Sequence, residues 1–113
     1  MVPMSVSELE LQRARRILED FCVGRNRVEN RQLACLMQGN DIVIMETSQQ
    51  EARGLARSST RPLVRLHYAD RGWRVFWSRD DGLWEPYIPL PLTRSIHDVV
   101  DELERAPLHV HWA

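Results

Sequence analysis

LVRLHYADRGWRVFWSRDDGLWEPYI, residues 63–88, is the stretch whose reading decides the fold. Arg71-Gly72 and Asp81-Gly82 sit where tight turns are needed, and Asp-Gly between apolar runs is among the strongest hairpin signals. Two-residue turns at both places set Tyr68 opposite Val75, Leu66 opposite Trp77 and Arg79 opposite Trp84. Directly opposite residues share a face. One face then collects Val64, Leu66, Tyr68, Trp73, Val75, Trp77, Trp84, Pro86 and Ile88. The other collects Arg65, His67, Arg74, Phe76, Ser78, Glu85 and Tyr87. An apolar and a mixed face are what an antiparallel sheet covered on one side requires. A one-residue slip in either turn is expected to scramble that partition.

Upstream, Gln32–Met37 and Ile42–Thr47 read as strands joined by a Gly39-Asn40 turn. Leu33, Cys35, Met37, Ile42 and Ile44 share one face of this hairpin. Ala34, Leu36, Val43 and Met45 share the other, so cover is expected on both sides. Residues 48–61 are polar and without period, and read as a long loop. Residues 1–4 are expected to be flexible.

A first helix begins in a capping box, Ser5 with Glu8 or Ser7 with Glu10. Leu11, Ala14, Leu18, Phe21 and Cys22 form its apolar stripe, and Gly24 is its expected stop. Pro89 and Pro91 end the sheet. Ser95 and Asp98 open a second helix with the stripe Ile96, Val99, Val100 and Leu103, stopped by Pro107. Leu108–Trp112 reads as a short last strand. The expected architecture is α+β in one domain over residues 1–113: a helix, a five-stranded antiparallel meander, a second helix and a short C-terminal strand.

The chain has 113 residues, 43% hydrophobic and 27% charged, an ordinary globular composition. No apolar run approaches the ~20 residues of a membrane span, and the N-terminus lacks a signal-peptide layout, so a cytoplasmic location is expected. Two cysteines, Cys22 and Cys35, fit that reducing compartment. All fifteen basic residues are Arg. Without lysine there is no Schiff-base chemistry and no Walker-type phosphate loop. Net charge is −1, unevenly spread: residues 49–79 carry seven Arg against Glu51 and Asp70, while residues 80–113 carry seven acids against Arg94 and Arg105. These opposite charges either pair within one chain or across a two-fold axis.

The run Trp73-Arg74-Val75-Phe76-Trp77-Ser78-Arg79, followed by Trp84, Tyr87 and Pro89, resembles the pattern of a bacterial family of small uncharacterised proteins, a domain of unknown function. The resemblance spans nearly the whole chain. It implies a bacterial source and a shared fold, and brings no activity or site residues with it.

The candidate binding surface is the mixed face, Arg65, His67, Arg74, Phe76 and Tyr87, extended by Arg53, Arg57 and Arg61. Its leading reading is a non-catalytic binding module for a protein partner or a second copy, because interface cores favour aromatics and Arg over Lys. Single-stranded nucleic acid is the alternative, with bases stacked on rings and guanidinium groups on phosphates. It ranks lower because the chain is slightly acidic. A third reading is a metal-dependent enzyme using His109 and His111, which has two ligands where zinc needs three or four. No cofactor is expected. Neither cysteine nor Ser95 has the setting of a nucleophile, the first two lying on apolar faces and the last at a helix cap. Glu46, on an apolar strand face, is expected to pair with an arginine.

Overall fold

The computed structural model describes residues 5–29, 32–79 and 81–105. Helix α1 (Val6–Glu29) is followed by strands β1 (Leu33–Gln38), β2 (Asp41–Ala52), β3 (Leu55–Ala69), β4 (Gly72–Ser78), β5 (Trp84–Pro86) and β6 (Leu92–Thr93), then helix α2 (Ile96–Arg105). The strands form one antiparallel sheet in the order β1-β2-β3-β4-β5, the expected meander, with β6 also paired to β4. The expected strand over 108–112 lies outside the described residues.

Ser5 caps α1 by accepting from the Glu8 amide at 3.1 Å. Leu11, Ala14, Leu18, Phe21 and Cys22 are buried as their spacing requires. The helix does not stop at Gly24, as the sequence suggests, but runs on to Glu29. A helical glycine costs only about 1 kcal/mol relative to alanine. Long-range bonds hold the extra turn. The Arg25 guanidinium donates to the carbonyls of Leu103 (3.0 Å) and Glu104 (2.8 Å) at the end of α2. The Asn26 amide bonds both backbone groups of Leu33, accepting at 2.7 Å and donating at 3.1 Å, as a neighbouring strand would. Ser95 caps α2 through the His97 amide at 3.2 Å, and Asp98 is held by the Thr93 hydroxyl at 2.8 Å. Ile96, Val99 and Leu103 face inward.

Both helices cover one side of the sheet. Their stripes meet Leu33, Ile42, Ile44, Val64, Leu66, Tyr68, Trp73 and Val75 in one apolar core, with Cys35, Met37 and Trp77 packed at its margin. The β1–β2 turn is Gly39-Asn40 in the expected register. The β3–β4 turn differs. It is Asp70-Arg71, at φ 52° and 60°, giving Tyr68↔Trp73 and Leu66↔Val75. Both residues take the positive φ of a type I′ turn. Gly72, set aside from the turn, lies where an added Cβ would come within 3.4 Å of Leu92 and Thr93, so it admits β6. Sliding a two-residue turn by one position moves partners by two. Every side chain therefore keeps its face, and this slip leaves the partition intact.

Residues 48–61 are not a loop. They form the outer half of the β2–β3 hairpin, closed at Arg53-Gly54 with φ 56° and 75°. No apolar period marks this arm because past Thr47 and Val64 neither β1 nor β4 accompanies it, and residues 53–61 are exposed. At ~3.3 Å per residue, Glu46 to Ala52 spans roughly 20 Å.

Candidate binding face

The sheet's second side has no helix over it among the described residues. Alternation along β1 and β2 brings Leu36, Gln38, Asp41, Val43 and Met45 there. Together with Pro62, Arg65 and Trp84 they line a shallow hollow of about 380 Å³. Val43 is buried by its neighbours, whereas Leu36 keeps 44% of its surface in solvent. The β2–β3 and β3–β4 registers add His67, Arg74 and Phe76 to this side.

Asp41 organises the polar part. Its Oδ2 accepts from Arg65 Nη2 at 2.8 Å and Nε at 3.0 Å, while Oδ1 meets His67 Nδ1. The guanidinium carbon of Arg65 lies 5.8 Å from the centre of the Phe76 ring. One carboxylate thus holds a guanidinium and an imidazole, and the guanidinium rests against an aromatic ring. Such stacking preorganises an Arg that stays half-buried. The arrangement offers no nucleophile beside a base, and among the described residues no cluster of three or more His, Cys, Asp and Glu could hold a metal. The weak metal candidates His109 and His111 lie outside the described residues. Asp41 and Glu46 fall on opposite faces of β2. Glu46 bonds Arg61 at 3.1 Å, the expected arginine partner.

Arg65, His67, Arg74 and Phe76 are brought together as their spacing predicts, but Tyr87 is not. The chain between β4 and β5 closes as a loop over 79–83, with Arg79 N donating to Leu83 O at 2.8 Å and Leu83 N to the Asp81 carboxylate at 3.1 Å. Ser78, not Arg79, then stands opposite Trp84. This odd-length loop reverses the faces of everything after it. Trp84 leaves the packed side and joins Phe76 on the bare one. Tyr87 enters the core at 5% exposure, and Ile88, expected inside, is 77% exposed.

The Tyr87 hydroxyl donates to Glu102 at 2.8 Å. Burial and then this carboxylate push its pKa up to about 12. A tyrosine raised in the fold favours the neutral state there. Its contribution is whole below the ordinary value of about 10 and is lost as pH rises through about 12, by at most about 2–3 kcal/mol. Urea titrations across that interval should show stability falling in the native chain. In Tyr87→Phe the fall should be smaller; an equal slope would remove Tyr87 as its source.

The three outer arginines do not extend the mixed face either. The register shifts between Ile44 and Met45, leaving Leu63 as the extra residue of a bulge whose side chain enters the core. Beyond it Arg61 and, by alternation, Arg57 share the side of Ile44 and Glu46, while Arg65 and Arg74 point to the other. Arg53 sits in the arm's turn. Arg53 and Arg57 have no hydrogen bond or ion pair among the described residues, and neither have the carboxylates of Asp101 and Glu104 on α2.

No helix among the described residues is long and apolar enough to cross a membrane. The chain belongs to a family described as a domain of unknown function, DUF3024, whose model matches residues 6–113. No curated protein and no solved structure matches it.

Proposed function

We propose that this member of the family is a non-catalytic interaction module that self-associates, the bare sheet face of one copy docking on that of a second. The observation that carries the reading is the hollow itself, with Leu36, Met45 and Trp84 around it and the Arg65–Phe76 pair beside it. Aromatics, Met and Arg on a surface poor in free carboxylates are the composition of an interface core. The charges argue for a second copy as occupant. Among the described residues the guanidinium groups of Arg53 and Arg57 on the arm lack partners, and so do the carboxylates of Asp101 and Glu104 on α2, so two copies hold what each lacks. A bacterial cytoplasm, where Cys22 and Cys35 are free thiols at rest, is the setting we assign.

Light scattering on the eluting protein, across a concentration series at low and at high salt, tests this. A dimer mass that weakens about tenfold or more as salt rises is expected, because exposed charge pairs are screened. A monomer at every concentration in both buffers overturns the reading.

Trp84 beside Phe76 and Arg65 also supports a second reading, single-stranded nucleic acid stacked on the rings. The bulge weighs against it by dividing the arginines between two faces. An oligonucleotide titration of tryptophan emission at two salt concentrations, showing no salt-dependent change, would end it.

A further inference from the structure

We infer that Cys22 and Cys35 are a dithiol site that a hydroperoxide oxidises to an intramolecular disulfide, fastening α1 to the edge strand β1. The two sulfurs lie 3.8 Å apart across the seam between helix and sheet. Neither is disulfide-bonded; Cys22 is buried and Cys35 is half-buried. An S–S bond of about 2.05 Å needs each sulfur to move by less than about 1 Å, within the reach of rotation about its own Cα–Cβ bond. The pair joins two elements close in sequence and packed by one core, so closing the bond asks for no new backbone path. Metal capture is the competing use of two thiols. It needs three or four ligands, and among the described residues no further His, Cys, Asp or Glu joins them.

The proton inventory suits oxidation. Donation from the Cys35 S–H lowers the Cys22 pKa against the opposing effects of burial and Glu19, and the same contact and burial push Cys35 up. The pair therefore gives up its first proton more easily than its second. Either sulfur can be the donor across the 3.8 Å contact, and with Cys22 donating in its turn the negative charge resides on Cys35, the one nearer solvent. That thiolate attacks a hydroperoxide oxygen: an S–O bond forms, the O–O bond breaks, and the leaving oxygen takes a proton and departs as water or an alcohol. Sulfur is oxidised to a sulfenic acid and the hydroperoxide is reduced. The Cys22 sulfur then attacks Cys35 Sγ. The S–S bond forms, the S–O bond breaks, and hydroxide leaves with the Cys22 proton as water. Two thiols and one hydroperoxide become one disulfide and its reduction products.

The consequence falls on β1, which carries Leu36 to the bare face from the strand whose other side holds Cys35. Oxidation pins that strand to α1 and closes a covalent loop between residues 22 and 35, restricting the unfolded chain.

The test treats the reduced full chain with hydrogen peroxide, alkylates it in denaturant and reads intact mass. Two alkylated thiols are expected to fall to none together, in a monomer lighter by two hydrogen atoms, with full recovery after dithiothreitol and a higher urea midpoint when oxidised. Cys22→Ser and Cys35→Ser should each add oxygen at the remaining sulfur instead. Persistence of both thiols in excess peroxide, added oxygen on one cysteine while the other stays alkylatable, or linkage only between chains overturns the inference.

Discussion

Trp73→Ala is expected to cost about 3–5 kcal/mol of folding free energy, measured as a lower urea midpoint at unchanged slope. Domains of this size hold a total of about 5–15 kcal/mol, so the variant should be partly unfolded near room temperature or close to it. Trp73 is the largest side chain with no exposed surface. It stands opposite Tyr68, their ring centres 4.8 Å apart and tilted by 50°. It also lies next to Gly72 at the place where β6 crosses. Loss of the indole leaves a void that α2, anchored at both ends, is poorly placed to fill. Trp73→Phe separates size from polarity. The indole Nε1 is buried without a partner among the described residues, so its removal relieves a desolvation penalty of about 1–3 kcal/mol and offsets part of the lost packing. Phe should therefore be markedly less damaging than Ala. Equal losses for the two would locate the contribution in the N–H and not in the ring.

Leu36→Asp is expected to weaken self-association about 100-fold or more while leaving the monomer folded. Leu36 is 44% exposed on an edge strand and sits at the rim of the hollow, outside the helix-covered core. In the monomer a carboxylate there stays solvated. In the dimer it would be desolvated against an apolar surface, and an unpaired charge trapped at an interface costs about 2–5 kcal/mol or more. Sedimentation equilibrium of both proteins gives the ratio, and circular dichroism confirms folding. An unchanged dissociation constant in a folded variant would remove the bare face as the contact, even if the native chain proved dimeric.

Much of this face was readable from alternation, and what was not has a common cause. The first hairpin came out in register because Gly39-Asn40 is a two-residue turn with one natural position. The second turn was misplaced, yet no face changed, because a turn that slides keeps its length and hence its parity. The third failed because Asp81-Gly82 sits inside a five-residue closure. One residue more or fewer exchanges the faces, and Trp84 and Tyr87 changed places. Asp41, the residue that organises the polar cluster, carries no local signal of that role in the sequence. Its pairing with His67 depends on the β2–β3 register, and that register was hidden twice: once by an arm too polar to show a period, and again by the Leu63 bulge, which offsets any count made from the turn. Gly24 misled for another reason. The bonds that carry α1 past it come from Leu33 and from α2, and local propensity cannot register either.

The bond from Arg25 to the end of α2 has a meaning for biosynthesis. Helix α1 is made early, with Leu11, Leu18 and Phe21 seeking cover, while the carbonyls that fasten its last turn belong to the final described helix. At ~5–20 residues per second, the interval between completing one helix and the other is roughly 4–15 s. Throughout it the nascent chain presents an apolar stripe and an unfinished layer. A cell making this protein must shield that stripe until the latch arrives, and a message that ends before α2 would release a chain unable to close.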